Sequence, residues 1–356
     1  MKKTIAFILT LALIAAAFAG CAGTPVVYYT DCTCPTGSHV AEPIPNATEP
    51  EVTVEGALKT GLAIITSVAD SENAVQASYD VTLAAVTVDE NGVIVDCIID
   101  SIGTKVPFDT AGAITADMNA EILTKNELGD AYGMVAYGGA VAEWYQQADA
   151  LAQFAVGKTV EELRSGAIDE TGKAPAGSDL ATTATIYLGG YVAAIEEAAA
   201  NARNLGAQAG DELKLAAIPS ISGSTSADAE NAGNAQLDVT VTALTMGDGI
   251  ITSCVIDAVQ AKVAFDTTGT ITSDLTAPVQ TKNQLGDAYG MVAWGGAIAE
   301  WNEQAASFAS YITGKTPAEV AGIAVDESTA PTDADLASSV TIKIGGFLAL
   351  IEKAAQ

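Results

Sequence analysis

T-K-N-E-L-G-D-A-Y-G-M-V-A-Y-G-G-A-V-A-E-W, from Thr124 to Trp144, recurs as T-K-N-Q-L-G-D-A-Y-G-M-V-A-W-G-G-A-I-A-E-W, from Thr281 to Trp301. The stretches agree at 18 of 21 positions and stand 157 residues apart. Solenoid repeats have periods of roughly 20–50 residues, so this spacing indicates a duplicated domain. Each copy is expected to bury its own core, and function to rest on two similar sites.

Outward from that block, each copy begins with strands. Tyr79 to Val88 and Val93 to Ile99 flank Asp89-Glu90-Asn91-Gly92, and Leu237 to Met246 and Ile250 to Ile256 flank Gly247-Asp248-Gly249. Alternating β-prone runs around such turns predict hairpins. A third short strand is expected at Lys105 to Phe108 and at Lys262 to Phe265. Helices follow. Val141, Trp144, Ala148, Leu151 and Ala155 form one apolar stripe, as do Ile298, Trp301, Ala305, Phe308 and Ile312. Thr159 with Glu162, and Thr316 with Glu319 after Pro317, read as capping boxes. The last helix carries Leu188, Tyr191, Val192 and Ile195, matched by Ile344, Phe347, Leu348 and Ile351. The Ala-rich tail Glu196 to Asn204 is expected to prolong it into the junction between copies. Strands first and helices afterwards give an α+β class, with two tandem homologous domains, each a small antiparallel sheet packed against helices. Their expected bounds are 57–205 and 206–356.

The leading residues read as processing signals. Lys2 and Lys3 precede an apolar run, Ile5 to Ala19, too short to span a membrane. Phe18-Ala19-Gly20-Cys21 resembles a bacterial lipobox, which implies a signal peptide over 1–20 and a lipidated Cys21. The alternative is an ordinary secretory signal with a cysteine at the cut site. Lipid on Cys21 would hold the chain at the outer face of a bacterial cytoplasmic membrane or at the cell surface. Residues 21–56 hold five prolines among Thr, Ser, Gly and Glu and read as a disordered tether spanning roughly 30 Å.

Fifteen basic and 44 acidic residues give a formal charge of −29. That charge excludes nucleic acid as a partner, because phosphate binding needs basic surface. Cys32 and Cys34 fall in the tether, where an oxidising compartment would allow a local bridge. Cys97 and Cys254 occupy the same place in each copy and alternate with polar neighbours, which predicts small buried thiols. The single histidine, His39, also lies in the tether, so neither a histidine triad nor a His-ligated metal is expected within the copies. No catalytic or metal-ligating constellation stands out.

One motif remains. Before the last helix, copy one reads Asp179-Leu180-Ala181-Thr182-Thr183-Ala184-Thr185, and copy two reads Asp335-Leu336-Ala337-Ser338-Ser339-Val340-Thr341. With the preceding hairpin and the G-K-T helix start, this resembles the FMN-binding domain family of exported flavoproteins and its pattern D-x-x-[ST]-[GST]-A-T. The resemblance implies that a separate flavin transferase esterifies the final Thr to the FMN phosphate, at Thr185 and possibly also at Thr341. Thr183 and Ser339 replace the usual Gly, and Val340 replaces Ala. A helix N-terminus stabilises phosphate, and the hydroxyls of Thr182, Thr183, Ser338 and Ser339 are expected to cap it or bind phosphate oxygens. Tyr137 and Trp294 are the favoured partners for the flavin ring, ahead of Tyr132, Tyr289, Trp144 and Trp301. Lys125 and Lys282 are expected to face phosphate or reduced flavin, and Asn126, Asn283, Asp130 and Asp287 the ring edge. Glu127 becomes Gln284, which argues against an obligatory acid–base role there.

The implied function is extracytosolic electron transfer between a membrane donor and an extracellular acceptor, rather than catalysis on a separate substrate. The competing expectation is a non-redox duplicated surface lipoprotein that binds a ligand or serves as a scaffold.

Overall fold

The computed structural model describes residues 56–356. The anticipated signal peptide, Cys21, the Cys32 and Cys34 pair and His39 lie outside the described residues.

The first copy runs β1 (Ala57–Ser67), β2 (Gln76–Val88), β3 (Ile94–Pro107), α1 (Lys125–Leu128), α2 (Met134–Gly138), α3 (Trp144–Ala155), α4 (Val160–Ala167), α5 (Leu180–Thr183) and α6 (Gly189–Ala200). Strand β4 (Arg203–Gln208) links it to β5 (Glu212–Ser220), β6 (Gly233–Gly247) and β7 (Ile250–Phe265). The second helical set is α7 (Lys282–Leu285), α8 (Met291–Gly295), α9 (Trp301–Ile312), α10 (Pro317–Ala321), α11 (Ala334–Ala337) and α12 (Gly345–Ala354). The order of elements is therefore the same in both copies, and the class is α+β.

Two antiparallel sheets, ordered β3-β2-β1-β4 and β5-β6-β7, form the centre of the molecule. Strand periodicity assigns alternate residues to opposite faces. In β2, Tyr79, Val81, Leu83 and Ala85 join one cluster with Leu237, Val239, Val241 and Ala243 of β6, so the sheets share a core. The intervening residues Ala84, Val86 and Val88 instead meet Trp144, Leu151, Val192 and Ile195 of the helices. Trp301, Phe308, Phe347 and Ile351 cover the outer face of the second sheet in the same way. The layers are thus helices, sheet, sheet, helices. The expectation that each copy buries its own core is corrected: one face of each sheet is buried against the other copy's sheet, and only the opposite face against the copy's own helices.

Contacts across the shared core come in reciprocal pairs. Phe108 and Phe265 stack in parallel with ring centroids 4.1 Å apart. Ala74 N–H donates to Gly269 O at 2.7 Å, and Ala227 N–H donates to Gly112 O at 2.8 Å. Ile271 N–H donates to Asn73 Oδ1, and Ile114 N–H to Ser226 Oγ. Such reciprocity is what a two-fold interface between like units produces.

Several local expectations change. The proposed third strands are the far ends of β3 and β7, which run on past the hairpin. Strands β1 and β5 precede the segments read as first. Val141 and Ile298 lie before α3 and α9 and are exposed, because those helices begin at Trp144 and Trp301. The Ala-rich tail stops at Ala200, where Asn201 donates to Leu62 O, and the chain reverses into β4 against β1. The expected junction between residues 205 and 206 falls inside that strand. Gly61 of β1 is required by α6: a Cβ there would stand 1.9 Å from Ala198 O.

Candidate functional site

The repeated block is fixed at its start by buried aspartates. Asp100 Oδ1 accepts from Ser101 N at 2.7 Å and Asn126 N at 3.1 Å, and Asn126 Nδ2 donates to Ile99 O. Asp257 accepts from Ala258 N and Asn283 N at 2.7 and 3.0 Å, and Asn283 Nδ2 donates to Ile256 O. Burial pushes both carboxyls up to about 6, against the hydrogen bonds that favour ionisation. Thr124 and Thr281 cap α1 and α7 beside them, in capping boxes closed by Glu127 and Gln284. Asn126 and Asn283 therefore act as staples of the fold, in place of the expected ring-edge partners. Asp130 and Asp287 are exposed in the following turns, and Asp130 accepts from Tyr145 OH.

Further along, Glu143 accepts from Met134 N and Val135 N at 2.8 and 2.9 Å, and Glu300 accepts from Met291 N and Val292 N at the same distances. A buried carboxylate bridging two backbone donors makes a strong, charge-assisted clamp. It ties α2 to α3 and α8 to α9 and fixes the first turn of the long helices.

The motif threonines depend on residues that the sequence reading missed. Gln147 on α3 is fully buried, and its Oε1 accepts from Thr185 N, Thr185 Oγ1 and Ile186 N at 2.8, 3.3 and 3.2 Å. Gln304 on α9 does the same for Thr341 N, Thr341 Oγ1 and Ile342 N at 2.8, 3.2 and 3.1 Å. The amide nitrogen is engaged as well: each Nε2 donates to a carbonyl, Ala142 O or Ala299 O. The recurrence of Gln147 as Gln304 at the repeat offset was the available signal.

Both threonines are exposed, in the extended link between α5 and α6 and between α11 and α12. They precede the last helices by four residues, so the expected position at the helix mouth is corrected. The neighbouring hydroxyls do not cap those helices. Thr182 and Thr183 donate to Asp179 O and Leu180 O, and Ser338 and Ser339 donate to Asp335 O and Leu336 O. Asp179 and Asp335 are exposed at the starts of α5 and α11. Ala184 and Val340 both point into the core, so the Ala-to-Val departure from the motif is a packing change.

Thr341 lies on the rim of a hollow of ≈ 580 Å³, together with Lys282, Lys343, Met291, Trp301 and Phe347. Gly346, in the first turn of α12, also lines it. Two cations, the positive end of a helix dipole and an apolar wall thus share one space in a strongly acidic molecule. Lys282 Nζ sits 4.8 Å from the Trp301 ring centre and 4.9 Å from that of Tyr289. Lys125 repeats this over Trp144 and Tyr132 at 5.1 and 5.3 Å. Such cation–π contacts hold an ammonium in place while leaving its donors available.

The favoured aromatic pair lies apart from the hollow. Tyr137 and Trp294 are each 91% exposed, outside the residues lining the hollow, with their rings laid against Gly133 and Gly290. Trp301, ranked behind that pair for its place on the core stripe, is the tryptophan on the wall. Cys97 and Cys254 are buried and unpaired, and burial pushes both thiols up, away from thiolate chemistry. Among the described residues no cluster of His, Cys, Asp or Glu is arranged to hold a metal, and no helix is long and apolar enough to cross a membrane. Comparison with protein-family models, curated proteins and solved structures finds no match to this chain.

Proposed function

We propose that this chain is an exported, lipid-anchored electron carrier holding FMN as a phosphoester on Thr341 and, in the first copy, on Thr185. The observation that carries the reading is the company of Thr341: an accessible hydroxyl on a hollow that also presents Lys282, Lys343 and the start of α12. The volume lies within the roughly 300–1,000 Å³ common for small-molecule sites. Bound FMN would supply the one- or two-electron chemistry, and the chain supplies position and charge.

Each residue has a physical role in that reading. Gln304 anchors the backbone on both sides of the Thr341–Ile342 peptide, which presents the hydroxyl at a fixed place. Lys282 and Lys343 neutralise phosphate charge, which the net acidity of the molecule otherwise opposes. Trp301, Phe347 and Met291 offer apolar surface to a planar ring. A separate flavin transferase would form the ester, a membrane component would donate electrons and an extracellular acceptor would take them.

The test is coexpression of the full chain with a flavin transferase, followed by denaturing electrophoresis and intact-mass measurement. Flavin fluorescence should stay with the denatured wild-type band, diminish in Thr341→Ala and in Thr185→Ala, and vanish in the double variant. A colourless wild-type product of unmodified mass would overturn the proposal.

A further inference from the structure

A second cavity, of ≈ 600 Å³, lies where the two copies meet and is independent of the threonine motif. Its walls come from β1 and β4 on one side and from β7 and α9 on the other. We propose that it is a binding site for a small α-amino acid with an apolar side chain.

The copies differ on the helical face that lines it. Asn302, Ala306 and Ser310 of α9 line the cavity, and the residues at the repeat offset on α3 are Tyr145, Asp149 and Gln153. Each replacement removes bulk from the side that β1 and β4 cover. Interiors normally close such gaps, since unfilled volume forfeits contacts. This one remains open and is furnished with polar groups.

Three features select the ligand. Asn302 lines the cavity, and its buried Oδ1 has no hydrogen-bond partner, a state that costs about 1–3 kcal/mol and that a small rotation of the amide toward a ligand N–H would relieve. Arg203 lines the same cavity and is one of only two arginines in the chain. Arg164, the other, pairs with Glu196, whereas Arg203 forms no ion pair among the described residues. A free guanidinium in a strongly acidic chain favours a carboxylate, which it can hold through two parallel bonds. Leu62, Ile64 and Ala309 give the remaining wall its apolar character, and Glu197, also on the lining, complements an ammonium. Carboxylate, N–H donor and apolar side chain together describe an apolar α-amino acid.

The test is calorimetric titration of the full chain with L-leucine and L-phenylalanine, alongside 4-methylpentanoate and 3-methylbutylamine, which each lack one of leucine's polar groups. At least one amino acid should bind, and the two analogues at least tenfold more weakly than leucine if leucine is the better ligand. Arg203→Ala should weaken binding at least tenfold. Asn302→Tyr, which restores the first copy's residue, should abolish it while the melting temperature holds or rises. Ala306→Leu provides a second way of filling the space should Asn302→Tyr fold poorly. Absence of binding by both amino acids, or binding untouched by both filling variants, would overturn the proposal. Equal binding of 4-methylpentanoate would overturn the amino-acid assignment.

Discussion

The two copies keep their interiors and change their rims. Asp100 and Asp257, Glu143 and Glu300, and Gln147 and Gln304 make the same hydrogen bonds to the same backbone groups, within 0.1 Å in most cases. Around the motif threonine the outer residues differ. Lys343 of the second copy corresponds to Tyr187 of the first, whose ring lies against Gly172 and Gly189. Equivalent turns, closed by Asp169 N to Lys173 O and Asp326 N to Ala330 O, put Lys173 where Ala330 lines the second hollow. One lysine has thus moved from the link to the neighbouring turn. The lesson is that the scaffold of the threonine is held fixed while the groups that would meet a ligand have been exchanged.

The sharpest way to break the comparison is at the shared core. If the copies were independent domains, removing Phe108 would affect only the first. Because Phe108 and Phe265 stack on each other, either change to Ala should cost about 3–5 kcal/mol and lower a single unfolding transition. The double variant should cost less than the two single changes added together, since the second truncation removes a contact already lost. Two separate transitions in calorimetry, with only one moved by Phe108→Ala, would refute a common core.

A smaller effect distinguishes the two buried aspartates. Both carboxyls are raised by burial, so the native chain takes up protons as pH falls through about 6, and the unfolded chain only near 4. Their contribution is therefore full below the unfolded value and is lost as pH rises through 6, on the order of 2–3 kcal/mol per group. Stability should climb from pH 7 to pH 5, and Asp100→Asn with Asp257→Asn should flatten that climb. The nearby charges differ in sign: Glu127 raises Asp100 further and Lys282 lowers Asp257. Carboxyl chemical shifts followed against pH should show Asp100 titrating above Asp257. The exposed Asp109, Asp169 and Asp266, lowered by hydrogen bonds from their turns, act in the opposite sense at lower pH.

Much of this was legible in the chain. The repeat at a fixed offset, the capping boxes at Thr159 and Thr316, the buried thiols and the strand-then-helix order all follow from local pattern, and all are present. The face-to-face packing of the sheets was not legible. Strands such as β2 are apolar on both faces, A-S-Y-D-V-T-L-A-A-V-T-V, and sequence alone does not say whether the second face meets a helix or another sheet. Strand β4 was lost to the helical propensity of the alanines before it. At the site, Lys282 lines the hollow and Trp294 does not, while Trp301, although on the core stripe, also reaches it. A tryptophan is large enough to pack with one edge and line a cavity with the other. Gln147 and Gln304 were overlooked because a glutamine inside a helix ordinarily faces water.

The smallest effect tests the exchange of Glu127 for Gln284. Glu127 forms an ion pair with Lys353 on α12 of the second copy. At the reciprocal place Gln284 Nε2 donates to Glu197 Oε1 of the first copy at 2.8 Å. A glutamate at 284 would confront Glu197, so the amide follows from the loss of the lysine across the interface. Gln284→Glu should therefore cost about 0.5–1 kcal/mol, the range of a partly exposed charge contact. Glu197→Lys in the same chain should recover that loss by recreating the ion pair of the other side. Raising salt should shrink the penalty of the single variant and the recovery alike, because both are Coulombic. If the single change proves neutral at low salt, the interface tolerates either residue and the divergence of Glu127 and Gln284 needs no electrostatic cause.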